Sequence, residues 1–267
     1  MRDLNHLSEI FKNYDTFIID LWGVIHNGIT LNSRAMEAIE NLNNNYKKIV
    51  FLSNAPRPSL KVTNFLLKMG MDKKYLKSVM TSGEAAMHAI NQKKFGKTFF
   101  HLGPPRDTSV FDKVKENKTN IEQCDFILCT GLFDNYDDLD FYKNFLKKHI
   151  SKKLICTNPD LTVHRGNIEE LCAGSIARVF ENLGGKVSYF GKPHPEVYSF
   201  CFNENEKVLA IGDNLRTDIK GANNLNLDCL FITDGVHRNE LNKISDLNEL
   251  SKTYDVKIDF FQKELTW

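Results

Sequence analysis

The stretch TFIIDLWGVIHNG, residues 16–28, decides the fold of this 267-residue chain. An apolar run rich in β-branched residues ends on the acid Asp20 and then turns through Trp22 and two glycines. Strands buried on both faces read as continuous apolar runs, and parallel sheets covered by helices bury both faces. The stretch therefore predicts an interior parallel strand that delivers a carboxylate to the loop at its carboxyl end.

Working outward, runs of the same kind recur at KIVFLSN (48–54), KTFFHLG (97–103), CDFILCTG (124–131), KLICTNPD (153–160), VSYFGKP (187–193), KVLAIGD (207–213) and LDCLFIT (227–233). Helical periodicity falls between them at 33–44, 58–69, 138–149, 169–183 and 215–224. Such alternation predicts an α/β protein with parallel sheets. The strands closing on Asp20, Ser53, Lys192 and Asp213 lead into polar loops, whereas those between 97 and 160 end in HLGPP, CTGLF and CTNPD. The contrast predicts a core domain over 1–82 plus 186–267 and an inserted second α/β unit over 83–185. The cluster NLNNNY (41–46) reads as a helix end, with asparagine in the left-handed region.

Composition narrows the function classes. Hydrophobic residues make up 42% and charged residues 26%, and no apolar run is long enough to cross a bilayer. The amino terminus MRDLNHLSEIFKNYD lacks the unbroken apolar stretch of a secretory signal, so a soluble cytoplasmic protein is expected. A net charge of +1 offers no global field for nucleic acid, and the lysines of KKHISKK read as solvated surface. Six cysteines without a C-x-x-C spacing read as reduced, buried thiols.

In an open parallel sheet, ligands bind outside the carboxyl ends of the strands. Asp20, Ser53 with Asn54, Lys192, Asp213 and Asp218 all fall at or just beyond such ends. Taken singly, each has an ordinary reading: a turn or cap for an acid, a helix start for SNAPRP, a surface position for a lysine before proline. Together they suit a phosphate ester. Carboxylates at 20 and 213 supply hard oxygen ligands for Mg²⁺, and a carboxylate can also accept a phosphoryl group. The Ser53 hydroxyl and helix N-termini bind phosphate oxygens, and the Lys192 charge offsets the negative charge of the transferring group.

In order, DLWGVIHNG, FLSNAPRP, YFGKPHPEVY and IGDNLRTDIKGA resemble the four motifs of the haloacid dehalogenase (HAD) superfamily. The long insertion between the second and third, with TNPD at 157–160, ELCAGS at 170–175 and TDGV at 233–236, resembles the NagD-like subclass IIA phosphatases. The resemblance implies a Rossmann-like core with an inserted α/β cap of type C2a. It also implies a Mg²⁺-dependent phosphatase acting on a small-molecule phosphate ester through an aspartyl phosphate. Asp20 matches the nucleophile, Ser53 with Asn54 beside it the phosphate-binding motif, and Lys192 the motif lysine, which serves catalysis and phosphate binding. Asp213 matches the metal ligand, and Asp218 supports the metal from its outer shell or through water. Asn158 and Asp160 resemble the cap segment facing the leaving group; a strand-end turn is the ordinary reading of the same residues. Relatives with this cap are often dimers, which leaves a homodimer open.

One position departs from the pattern. The second residue after the nucleophile is ordinarily an acid that protonates the leaving group, and here it is Trp22. A backbone carbonyl, through which that position ligates Mg²⁺, is retained. General acid catalysis is worth ~10²–10⁴-fold, so its loss predicts slow turnover or a preference for good leaving groups. His26 is the nearest replacement donor in sequence, with a structural or solvent-exposed histidine as the alternative. A catalytically weak phospho-ligand binding or regulatory protein is the competing functional reading.

Overall fold

The computed structural model describes every residue except 166–167 and 242–243. Thirteen strands follow along the described chain: β1 (Arg2–Asp3), β2 (Thr16–Ile19), β3 (Lys48–Ser53), β4 (Val79–Thr81), β5 (Phe99–Leu102), β6 (Phe126–Cys129), β7 (Lys153–Cys156), β8 (Thr162–Arg165), β9 (Ile168–Leu171), β10 (Lys186–Tyr189), β11 (Val208–Gly212), β12 (Asp228–Ile232) and β13 (Phe260–Gln262). Seven form a parallel sheet in the order β1-β13-β12-β11-β2-β3-β4, four a second parallel sheet in the order β10-β7-β6-β5, and β8 and β9 an antiparallel hairpin.

The run that opens the chain's logic lies in the middle of the larger sheet. All four residues of β2 are buried, because Phe17 and Ile19 pack into the core on one face while Ile18 packs into the core on the other. Its neighbours are β11 and β3, with Ile19 opposite Ile211 on one side and Phe51 on the other. Asp20 and Asp213 therefore leave the sheet on adjacent strands at the same edge, and the Asp20 N–H still donates to the Ile211 carbonyl at 2.9 Å.

The helices are α1 (Ser33–Asn44), α2 (Ser59–Lys68), α3 (Ser82–Asn91), α4 (Leu139–Leu146), α5 (Ala173–Asn182), α6 (Pro195–Tyr198), α7 (Lys220–Asn224) and α8 (Ile244–Thr253). Helix α1 shows why the periodicity was legible. Ala35, Ala38, Ile39 and Leu42 form its buried stripe, and Asn32 caps it by accepting from the N–H groups of Arg34 and Ala35. Its end departs from expectation. Tyr46, with φ of 57°, takes the left-handed conformation, while Asn41 and Asn45 donate their amides to carbonyls one turn back.

Two further expectations need correction. Residues 168–171 continue the helical pattern of α5 in sequence but pair as a strand with β8, so the helix begins at Ala173. Strand β10 pairs in register with β7 and closes the smaller sheet, which carries the inserted unit past residue 185 to at least Tyr189. Lys192 thus returns to the larger sheet from a connecting segment and not from one of its strands. All six cysteines are free and buried, as expected of packed thiols. No helix among the described residues is long and apolar enough to cross a membrane.

Candidate active site

The carboxyl ends of β2, β3 and β11 open into a cavity of about 1180 Å³ that residues of the inserted unit also line. Asp20, Ser53, Asn54, Asn158, Asp160, Lys192, Asp213 and Asp218, every candidate drawn from the strand ends and the cap, border it together with Trp22.

At its centre Lys192 bridges two acids. Its Nζ donates to Asp20 Oδ1 at 2.5 Å and to Asp218 Oδ1 at 2.6 Å, with all three side chains buried. Burial alone would depress the lysine, but the carboxylates of Asp20, Asp218 and Asp160 outweigh it and hold the ammonium charged well above the usual range. Burial also pushes Asp20 up to about 7, with Asp218 and Asp160 adding repulsion that Lys192 only partly offsets. Asp213 is pushed well above the ordinary carboxylate range, by burial first and then by Asp20 and Asp218.

Local chain chemistry explains how these groups are held. After β11 the backbone enters a π-helical turn, Leu215–Ile219, whose Asp218 accepts from the Asn214 N–H at 3.1 Å. Single π turns recur at functional sites because they displace a side chain from the α-helical register. Asp213 Oδ2 accepts from the Val236 N–H at 2.8 Å. A Cβ on Gly23 or Gly235 would lie within 2.1 Å of that oxygen, so two glycines leave the carboxylate its space. His237 anchors the same loop. Its Nε2 accepts from the Leu215 N–H at 3.2 Å, which places the proton on Nδ1, 2.6 Å from Glu240.

Oxygen atoms of Asp20, Asp213 and Asp218 lie within 4.8 Å of one another. Three buried carboxyl groups crowd one lysine in a small volume, and the crowding that pushes Asp20 and Asp213 upward is what a hard divalent cation, which favours such oxygen donors, would relieve. The donor set fits Mg²⁺. Both Asp218 oxygens already accept hydrogen bonds, from Lys192 and from Asn214, which leaves Asp20 and Asp213 as the carboxylates placed for direct ligation.

Ser53 and Asn54 both border the cavity and make further contacts. Ser53 Oγ accepts from the Ala55 N–H at 3.2 Å, which leaves its hydroxyl hydrogen to donate. Asn54, expected with Ser53 to bind phosphate, borders the cavity and also engages Lys192 and Asp160. Its Oδ1 accepts from the Lys192 N–H at 2.8 Å, and its Nδ2 donates to the Lys192 carbonyl and to Asp160 Oδ1, both at 3.1 Å. Gly191 makes this approach feasible, since a Cβ there would fall 2.5 Å from Asn54 Oδ1. Asn214, which sequence reasoning passed over, donates to the same Asp160 oxygen at 3.4 Å; its adjacency to Asp213 was the available signal.

Trp22 is half-buried, its ring 5.1 Å from that of His26 in an edge-on contact and its far edge against Gly28. His26 is buried, accepts from the Gly28 N–H on Nδ1 at 3.0 Å, and is pushed down to about 4 by burial. It is neutral near pH 7 and belongs to the packing around Trp22, as its structural reading had it.

Known proteins agree with this geometry. Residues 17–115 match the family model for haloacid dehalogenase-like hydrolases, and residues 189–254 match a second, HAD-hydrolase-like model. An acid sugar phosphatase of Staphylococcus epidermidis is 26% identical over 84% of this chain and 88% of its own length. The ribonucleotide monophosphatase NagD of Escherichia coli is 32% identical over 88 residues, about a third of either chain. A crystal structure of a haloacid dehalogenase-like hydrolase from Brucella suis superposes with a TM-score of 0.86 at 27% identity, covering 98% of this chain and all of the other. Motif order, sheet topology and these matches coincide, and the chain belongs to the haloacid dehalogenase superfamily, in its NagD-like subclass IIA.

Proposed function

We propose that the chain is a Mg²⁺-dependent phosphomonoesterase that hydrolyses a small-molecule phosphate ester through an aspartyl phosphate on Asp20. It is a phosphoric monoester hydrolase by family, and the named relatives are phosphatases acting on sugar phosphates and ribonucleotides. The observation that carries the finer reading is Asp20 itself, a buried carboxylate hydrogen-bonded to Lys192 at the mouth of a central parallel strand.

Asp20 would attack phosphorus with the oxygen that does not face Lys192. Lys192 offsets the charge gathering on the nucleophile and the transferring group, while the Ser53 hydroxyl and the N–H groups beyond β3 orient phosphate oxygens. Asp20, Asp213 and the Trp22 carbonyl would hold Mg²⁺, with Asp218 behind them in its outer shell. When bound, the ion neutralises phosphate charge and lets an anionic ester approach a carboxylate.

Position 22 carries no acid, so alkyl esters should turn over more slowly than aryl or acyl phosphates, whose leaving groups depart without a proton. The substrate is a small molecule held between the two units, in the cytoplasm. A second reading, a phospho-ligand binding protein with negligible turnover, draws on Trp22 alone; the retained nucleophile, lysine and paired acids favour catalysis. Mg²⁺-dependent phosphate release, compared between the wild-type chain and Asp20→Asn, separates the two. Release lost in the variant supports the hydrolase; silence in the wild type with retained ester binding supports the other.

A further inference from the structure

We propose that Asp160 of the inserted unit is a positioning residue: its hydrogen bonds fix the Asn54 amide that clamps Lys192, and through it the placement of the Lys192 ammonium. The inference rests on the hydrolase reading above and adds to it a residue that acts through its neighbours.

Asp160 lies in the loop after β7, and the inserted unit holds that loop from its own side. The Asp160 N–H donates to Asn158 Oδ1 at 3.1 Å. The next carbonyl, that of Leu161, accepts from the Cys172 N–H at 2.8 Å and from Ser175 Oγ at 2.7 Å, at the start of α5. From this support the Asp160 side chain meets the core. Its Oδ1 accepts from Asn54 Nδ2 at 3.1 Å and from Asn214 Nδ2 at 3.4 Å, and Thr217 hydrogen-bonds the same carboxyl group. Asn54, Asn214 and Thr217 are the chain neighbours of Ser53, Asp213 and Asp218. One side chain of the inserted unit therefore joins the loops that follow β3 and β11.

The contact decides which way the Asn54 amide faces. Its Nδ2 carries two hydrogens, one given to the Lys192 carbonyl and one to Asp160, while its Oδ1 takes the Lys192 N–H. Turned over, the amide would set Oδ1 against two acceptors and leave the Lys192 N–H facing a donor, which costs the buried groups their hydrogen bonds. Lys192 sits on the segment connecting the two sheets, and from that clamped backbone its Nζ reaches Asp20 and Asp218. The role asks for a hydrogen-bond acceptor at position 160 and makes no use of a proton there.

The test compares kcat and KM for 4-nitrophenyl phosphate and for an alkyl phosphate, with Mg²⁺, in wild type, Asp160→Asn, Asp160→Ala, Asn54→Ala and the double alanine variant, with Asp20→Asn as control. Asparagine at 160 keeps an oxygen for both amides and offers its own amide to the Thr217 hydroxyl, so kcat should stay within about 3-fold of wild type. Asp160→Ala should lower kcat on both esters alike by about 10-fold, with KM changed less than about 3-fold, because a reacting group is misplaced by a fraction of 1 Å. In the double variant the loss should equal that of Asn54→Ala alone, since one residue acts through the other. Arg57 Nε still holds Asp107 of the inserted unit at 2.7 Å in these variants. Should Asp160→Ala not fold, Asp160→Ser, polar but too short to reach the asparagines, takes its place. Additive losses, an Asp160→Asn defect as large as that of Asp160→Ala, an undiminished Asp160→Ala, or a rise in KM at constant kcat would each overturn the proposal while leaving the hydrolase reading intact. Release that survives Asp20→Asn would instead overturn the hydrolase reading, and this inference with it.

Discussion

The side-chain amide of Asn54 clamps the backbone of Lys192 on both sides, accepting from its N–H at 2.8 Å and donating to its carbonyl at 3.1 Å. Lys192 enters on the segment connecting the smaller sheet to the larger, so no strand of the larger sheet fixes it. The clamp does so in place of a ladder. Asn54→Ala should misplace the ammonium relative to Asp20, and displacements on the order of 1 Å at a reacting centre cost about 10²-fold. The expected outcome is a fall in kcat for 4-nitrophenyl phosphate with a smaller change in KM. An unchanged kcat would show that Lys192 holds its place without the clamp.

Replacing the lysine tests the same cluster through stability. Lys192→Met removes the cation between Asp20 and Asp218 and leaves buried carboxylates facing one another. Breaking a buried ion pair from one side costs ~3–5 kcal/mol. Thermal unfolding at pH 7 without divalent metal should show a clear loss in Tm, and turnover should vanish. A variant as stable as the wild type would mean that the acids shed their charge without penalty.

Trp22→Asp returns an acid to the position beside the nucleophile. Turnover of sugar phosphates should rise relative to that of 4-nitrophenyl phosphate, because only the poorer leaving group needs the proton. Some stability should be lost, since the indole packs against His26 and Gly28. No relative gain on sugar phosphates would show that proton supply does not limit the wild-type reaction.

The larger unit offers His26 and the inserted unit offers His101 as buried histidines held down to about 4. His101 is the cleaner probe, being buried by Phe111 and hydrogen-bonded to Thr130 Oγ1 at 2.8 Å, and placed in the inserted unit's sheet. Burial depresses it, helped by the charge of Lys118. Its contribution is complete above the unfolded value near 6.5 and is lost as pH falls through that window toward 4, where the unfolded chain binds the proton first. The full window corresponds to roughly 3 kcal/mol at 1.36 kcal/mol per unit. His101→Gln should lose less Tm between pH 7 and pH 4.5 than the wild type does, measured by calorimetry; parallel losses would place the acid sensitivity elsewhere.

Much of this architecture was legible because interior parallel strands write themselves as apolar runs ending on polar residues. Asp20, Ser53 and Asp213 were found that way, and the eight runs first singled out all form strands. Short strands escaped: β4 and β13 have three residues each, too few for a period to show. Ile168–Leu171 misled because its spacing continues that of α5, and only pairing with β8 makes it a strand. Strand β10 looked like part of the larger sheet because Lys192 follows it, whereas register with β7 assigns it to the smaller one. Asn214 carried too little signal, and the clamp that Asn54 makes on Lys192 was not legible beside its phosphate reading, since these contacts reach residues more than fifty and more than a hundred positions away.

The central claim is a phosphoryl group carried on Asp20, and the most direct measurement is phosphate release with and without Mg²⁺ in the wild type and Asp20→Asn. A panel of 4-nitrophenyl phosphate, acetyl phosphate, nucleotides and sugar phosphates covers the leaving groups. Mg²⁺-dependent release that disappears in the variant is the predicted result. Release that survives Asp20→Asn, or a wild type that binds these esters and releases no phosphate, would contradict it.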